Sequence, residues 1–230
     1  MEALFIKEGF ISTTTCGAML EVINDFRQQV RLPIITRPSV PRPLCYSVID
    51  GHQILASLPQ IRGLHEKTTR LIKRMFGDRV EPLADEQVAC NINITHPGGS
   101  YRYHYDRNAV TAILYLNETN GGETECYPNH RLQVRSTGLQ RGIDRVFTNE
   151  VFRWIFAKQV LVRPKIGRLL IMRGNRCLHS VREVSGSTHR INIVMAYDVK
   201  GAQYANGDRL NSYLYNVDAV AAEDPNYSSA

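Results

Sequence analysis

Hydrophobic positions recur with a helical period early in the chain and with a period of two after about residue 87. Between Ala18 and Arg31, Met19, Val22, Ile23, Phe26 and Val30 fall on one face of a helix. A second amphipathic helix is predicted from Leu64 to Phe76, through Leu64, Thr68, Leu71, Ile72, Met75 and Phe76, with Gly77 placed to cap its end. Four prolines between Pro33 and Pro43 rule out regular structure in the stretch between these helices. On this pattern the first ninety residues are mostly helical.

The later period of two predicts short strands over Gln87–Thr95, Ser100–Asp106, Ala109–Asn117, Glu123–Tyr127, Gln159–Arg163, Arg168–Arg173 and Arg190–Asp198. Each is β-branched or aromatic and bounded by Gly, Pro or Asn. Strands at this spacing predict a mainly β fold, an antiparallel jelly roll (double-stranded β-helix) with the N-terminal helices packed on the outside of one sheet. No linker or internal repeat divides the chain, so residues 1–230 are expected to form a single domain. Its parts are a helical stretch over 1–86, a jelly-roll core over 87–200 and a tail over 201–230 that frays. The 136–158 segment interrupts the strand pattern with Phe147, Val151, Phe152, Trp154, Ile155 and Phe156, which read as a buried helix ahead of a lid.

Composition narrows the class only a little. Hydrophobic content of 43% and charged content of 22% are ordinary for a globular protein. The N-terminus lacks a basic start followed by an apolar run, and no stretch approaches a membrane span. Five widely spaced cysteines, Cys16, Cys45, Cys90, Cys126 and Cys177, contain no C-x-x-C pair, which predicts reduced thiols and a cytoplasmic setting. The net charge of +6 raises nucleic acid as a partner. The basic residues are scattered, however, and only Arg131–Arg145 is locally dense, so this reading stays behind a small anionic substrate or plain solubility. Arg102, Arg107, Arg131, Arg173 and Arg176 read as solvated surface.

The residues that carry chemistry are His104, Asp106, His179 and Arg190. Two imidazoles and a carboxylate are the set that holds non-haem Fe(II) on one face and leaves other positions open. Alternation along a strand puts His104 and Asp106 on one side and Tyr105 on the other, with His179 expected from a strand packed opposite. Arg190, eleven residues after His179, would supply a fixed cation for an acidic co-substrate.

Gly98, Gly99 and Tyr101 precede the H-x-D pair; Tyr115-Leu116-Asn117 leads into Gly121-Gly122-Glu123-Thr124 and Tyr127-Pro128; Pro164 and Gly167 precede a hydrophobic strand and His179-Ser180-Val181. This order over about residues 88–198 resembles the 2-oxoglutarate/Fe(II)-dependent dioxygenase superfamily, in its prolyl-4-hydroxylase-like branch. The resemblance implies His104, Asp106 and His179 as iron ligands and as the catalytic centre, with Arg190 binding the distal carboxylate of 2-oxoglutarate. It also implies Tyr115 as a hydrogen-bond partner of that carboxylate and Tyr101 as a pocket residue near iron. The arginine stands one or two places later than usual, which predicts a longer 184–188 loop and makes His189 a rival, although a neutral imidazole suits a carboxylate poorly. Ile94 occupies a position that is tyrosine in some members. Asn91, Asn93 and Asn192 read as ordinary strand residues rather than donors in the site.

The implied activity is oxidation of a C–H bond with Fe(II), 2-oxoglutarate and O2, releasing succinate and CO2. An intact Asp106 favours hydroxylation or a related oxidation over the halogenation of relatives that lack the carboxylate. A small molecule such as an amino acid, short peptide or natural-product intermediate is the first substrate class. A protein or peptidyl-prolyl hydroxylase is the second, and a nucleic-acid demethylase the third. A jelly roll that binds ligand without turnover is the non-enzymatic alternative.

Overall fold

Isoleucine alternates with asparagine in Cys90–Thr95 and again after Arg190, and this alternation decides which face of the main sheet is greasy and which is polar. The computed structural model describes residues 3–37, 42–132, 139, 143, 144, 146 and 158–201. Its strands are β1 (Leu4–Lys7), β2 (Ile35–Arg37), β3 (Leu44–Ile49), β4 (Val80–Pro82), β5 (Cys90–Thr95), β6 (Tyr101–His104) and β7 (Val110–Tyr115). These are followed by β8 (Asn120–Gly121), β9 (Thr124–Tyr127), β10 (Val160–Val162), β11 (Leu169–Met172), β12 (Leu178–Val181), β13 (Val184–Ser185) and β14 (Arg190–Val199). The helices are α1 (Thr13–Gln29), α2 (Gly51–Ser57), α3 (Pro59–Phe76) and α4 (Glu86–Ala89).

The larger sheet runs β1-β11-β7-β14-β5-β3-β2, with β4 pairing β14 beyond this path; the smaller runs β10-β9-β12-β6, and β13 pairs β8. All the pairings are antiparallel. Ile92, Ile94, Ala112, Leu114, Leu169, Ile171, Ile191 and Ile193 face the helices and pack with Ile23, Phe26, Ile61, Leu64 and Ile72 in one buried cluster. Each large aliphatic side chain there contributes about 1.5–3 kcal/mol by leaving water. The opposite face of the same sheet carries Ile113, Tyr115, Leu170 and Met172, which meet Cys126 and Val162 of the smaller sheet. The expected jelly roll with helices on one sheet is therefore present.

The N-terminal third departs from its predicted helical character. Strands β1, β2, β3 and β4 all belong to the larger sheet; β1, β2 and β4 are too brief to display a period and are claimed by tertiary pairing, as is the six-residue β3, whose buried positions do not alternate strictly. One of them, β2, lies inside the proline-bounded stretch expected to be irregular, and pairs with β3 through Ile35 and Tyr46. The first helix begins earlier than expected because the Ser12 hydroxyl caps it by accepting the Thr15 amide hydrogen. The second predicted helix extends back to Pro59, a residue suited to a first helical turn. The apolar residues noted between 147 and 156, and the tail after 201, lie outside the described residues. All five cysteines are free, and among the described residues no helix is long and apolar enough to cross a membrane.

The smaller sheet turns its outer face onto a buried carboxylate. Glu125 of β9 accepts hydrogen bonds from Tyr103 (2.8 Å), Ser180 (2.8 Å), Arg182 (2.9 Å) and Gln159 (3.0 Å), and pairs with Arg42 at 2.7 Å. Burial alone would push this carboxyl up, but the Tyr103, Ser180 and Arg182 bonds and the Arg42 charge hold it down at about 2. A depressed carboxylate stabilises the fold above its ordinary value of 4.5 and loses that contribution as pH falls toward 2. Melting temperature is expected to drop over this window, and Glu125→Gln is expected to flatten the drop while lowering stability at neutral pH. A wild-type melting temperature constant from pH 5 to about 2 would contradict this assignment.

Candidate metal centre

His104 ends β6 and His179 sits on β12 directly across from it, so the two imidazoles are cross-strand neighbours in one sheet. This corrects the expectation that His179 comes from an opposing strand: adjacency within the smaller sheet brings the rings to a centroid distance of 4.2 Å. Asp106 lies past the end of β6, where the strand has given way to a turn. Its Oδ1 stands 3.6 Å from His104 Nε2 and 3.4 Å from His179 Nε2. One donor atom from each of the three residues falls within 4.8 Å of the others.

Backbone carbonyls orient both rings. His104 Nδ1 donates to Arg102 O at 2.8 Å, and His179 Nδ1 donates to Cys177 O at 3.0 Å. A carbonyl can only accept, so each Nδ1 carries hydrogen and each Nε2 is turned toward Asp106. The carboxylate is oriented in turn. Thr111 Oγ1 donates to Asp106 Oδ2 at 2.5 Å, while Asn108 Nδ2 donates to Thr111 Oγ1 at 2.9 Å and to Val110 O at 2.6 Å. Oδ1 is thereby left facing the two imidazoles. Sequence reasoning missed Thr111 and Asn108, and nothing in their local pattern marks them.

Burial opposes charge on every member of this centre. It drives His104 down to about 4, helped by the neighbouring His179. It opposes charge on His179 as well, but the close Asp106 carboxylate prevails and raises that ring to about 9. Asp106, despite its own burial, is held well below the usual carboxylate range by His179, His104 and Thr111. The space between His179 Nε2, His104 Nε2 and Asp106 Oδ1 is the place a divalent cation would take. Two neutral nitrogens and one carboxylate oxygen fit Fe(II).

The carboxylate also has a close backbone neighbour. Asp106 N–H donates to Gly174 O at 3.0 Å, and a Cβ on Gly174 would stand 2.7 Å from Asp106 Oδ2 and 2.8 Å from Thr111 Oγ1. Only glycine leaves room for that contact. Gly174→Ala is expected to displace the carboxylate and weaken Co(II) or Fe(II) binding by about 10- to 100-fold in a calorimetric titration; unchanged affinity would show that the contact relaxes harmlessly.

Arg190 starts β14 and points to the polar inner face of the larger sheet. It is 2% exposed, and among the described residues it forms no ion pair. Its Nη1 donates to Asn192 Oδ1 at 2.6 Å and its Nη2 to Thr124 Oγ1 at 3.1 Å. The buried Nε has no hydrogen-bond partner among the described residues. Tyr115 lies beside it, its ring 5.2 Å from the guanidinium carbon and its hydroxyl 2.6 Å from Thr124 Oγ1. Those two hydroxyls spend one hydrogen on each other and leave the second for an incoming acceptor. Thr124 entered the sequence reading only as the end of the Gly121-Gly122-Glu123-Thr124 motif and without a role, although a period of two puts it on the same face as Cys126.

The remaining predicted positions separate cleanly. Tyr101 accepts a hydrogen bond from Asn93 Nδ2 at 2.6 Å and packs on Tyr46 at 5.3 Å. Asn93 and Asn192 are cross-strand partners, and each bonds to a candidate site residue, Asn93 to Tyr101 and Asn192 to Arg190. Ile94 is fully buried among the helix-facing residues and takes no part in the site. The inner-face neighbour is Thr95, which donates to Asn93 Oδ1 at 3.0 Å. His189 is no rival to Arg190: its ring stacks edge-on with His96 at 4.7 Å. The longer 184–188 loop is accommodated by the β13–β8 pairing and a turn at Gly186 with φ of 80°. Arg131 and Arg173 are not free surface residues either, since Arg131 pairs with Asp144 and Arg173 lies over the Phe76 ring.

Comparison with known proteins agrees with this geometry. Residues 89–198 match the family model described as the 2OG-Fe(II) oxygenase superfamily. A prolyl-4-hydroxylase from Pseudomonas putida is 18% identical, over 87% of this chain and 95% of its own, with a TM-score of 0.56. The epimerase SnoN, solved with Fe3+, alpha ketoglutarate and nogalamycin RO, is 17% identical over 100% and 90% of the two chains, with a TM-score of 0.68. The carbocyclase SnoK from nogalamycin biosynthesis is 16% identical over 91% and 87%, with a TM-score of 0.64. No curated protein matches the sequence. The stretch that carries His104, Asp106, His179 and Arg190 is thus the part of the chain that matches the 2OG-Fe(II) oxygenase superfamily.

Proposed function

We propose that this chain oxidises a C–H bond of a small molecule, with His104, Asp106 and His179 holding Fe(II) and Arg190 anchoring 2-oxoglutarate. The observation that carries the reading is the buried guanidinium of Arg190, without an ion pair among the described residues, on the inner face of the jelly roll that also holds the His–Asp–His centre. A cation taken out of water without a counter-charge is costly, and an acidic ligand is the natural compensation. Tyr115 and Thr124 add the hydroxyl that such a carboxylate would accept from. The iron supplies activation of O2 when bound; the protein's part is to orient two Nε2 atoms and one carboxylate oxygen and to fix the keto diacid by its far end.

A natural product of intermediate size is the favoured substrate class. SnoN and SnoK, both from nogalamycin biosynthesis, superpose with higher TM-scores than the P. putida prolyl-4-hydroxylase. The test is succinate formation from 2-oxoglutarate with Fe(II), stimulated by a panel of polycyclic and glycosylated metabolites, free amino acids and proline-containing peptides. Stimulation by a metabolite supports the proposal, whereas stimulation by peptides alone transfers the chain to peptidyl hydroxylation. Metal-loaded protein that binds no 2-oxoglutarate would overturn the enzymatic reading.

A further inference from the structure

Asn192 stands two residues after Arg190, on the same face of β14 and in register with Tyr115 on one side and Asn93 on the other. It is 2% exposed, and its Oδ1 accepts from Arg190 Nη1 at 2.6 Å, a short charge-assisted bond. Every described group that touches the guanidinium is neutral: the Asn192 amide, the Thr124 hydroxyl and the Tyr115 ring. Burial pushes the Tyr115 phenol up, so it too stays protonated. Of the two acids that flank Thr124, Glu125 faces the other side of β9 and is engaged by Arg42 and Arg182, and the charge of Glu123 likewise acts on Arg182. A carboxylate at position 192 would make the same bond with almost the same shape. The chain carries the amide instead.

We propose that Asn192 sets the charge selectivity of the co-substrate pocket: it holds Arg190 in place without neutralising it, so that a 2-keto acid with an anionic far end is taken and its neutral-tailed homologue is refused. This rests on the reading of Arg190 as the 2-oxoglutarate anchor. Of the five N–H groups of the guanidinium, one goes to Asn192 and one to Thr124, while the buried Nε–H has no partner among the described residues and is left for a ligand. An aspartate side chain in place of Asn192 would hold the fork equally well but would already satisfy its charge. Asn192 is accordingly a positioning residue whose neutrality is the functional property.

The test is calorimetric titration of Ni(II)-loaded protein with 2-oxoglutarate and with 2-oxopentanoate, which has the same chelating end and an uncharged tail. Wild type is expected to favour 2-oxoglutarate by about 100-fold or more. Asn192→Asp is expected to bring the two affinities within about tenfold, through loss of 2-oxoglutarate alone, while nickel binding is unchanged. Asn192→Ser, small and neutral, is expected to weaken binding yet keep the preference. This serine variant also decides the matter if the aspartate variant fails to fold: loss of the preference there overturns the proposal. An Asn192→Asp protein with the wild-type preference overturns it as well, as does a wild type that binds both acids equally. Wild type that binds neither acid overturns the underlying assignment of Arg190 together with it.

Discussion

Arg190→Ala is expected to weaken 2-oxoglutarate binding by about 100- to 1,000-fold, because truncating a buried charge-assisted partner removes attraction and leaves the ligand carboxylate without a counter-charge. Divalent metal binding should persist, since neither His104, Asp106 nor His179 bonds to Arg190 among the described contacts. Arg190→Lys should recover only part of the loss: an ammonium is a point charge and cannot reproduce the planar fork that Asn192 and Thr124 orient. Thermal stability is a useful control. Removing the side chain relieves a buried cation but opens a cavity, and these effects have opposite signs. A calorimetric series in which the alanine variant binds 2-oxoglutarate like wild type would remove the strongest support for the oxygenase reading.

The site was legible in the sequence to the extent that strand alternation governs it. His104, Asp106, His179 and Arg190 could be named because their ligand chemistry and the resemblance of the surrounding motifs to a known family both point to them, and the structure brings the first three together. What alternation could not supply was the identity of strand neighbours. The pairing of β6 with β12 in one sheet is set by long-range register, and no local pattern encodes it. The same limit hid Thr111, Asn108 and Gly174, which act on Asp106 through a turn closed by tertiary contact. Ile94 shows how sharp the rule is where it does hold. A shift of one residue along β5 exchanges the helix-facing core for the polar interior, so the position relevant to the pocket is Thr95 or Asn93. The short N-terminal strands β1, β2 and β4 were illegible for another reason: three or four residues are too few to display a period of two, and their place is fixed by the strands they pair with.

Asp106→Ala is expected to reduce divalent metal affinity on the order of 1,000-fold and to abolish substrate oxidation, since it removes the only carboxylate of the described metal-binding cluster. Two imidazoles held at a ring distance of 4.2 Å would remain, oriented by the Arg102 and Cys177 carbonyls. Those carbonyl bonds do not depend on Asp106, so the residual weak site should still prefer nitrogen-seeking metals such as Cu(II) and Ni(II) over Mn(II), in the Irving–Williams sense. Comparison with Arg190→Ala then divides the centre into two halves. The arginine variant should bind metal and lose the keto diacid, whereas the aspartate variant should lose metal and, with it, the keto-acid contact that metal provides. If Asp106→Ala retained wild-type Fe(II) affinity, the three-residue cluster would be a hydrogen-bonded core feature rather than a metal centre, because its oxygen would then contribute nothing to cation binding. Double substitution extends the argument: adding Arg190→Ala to Asp106→Ala should remove the 2-oxoglutarate affinity that remains, because the two changes take away opposite ends of the same bound ligand.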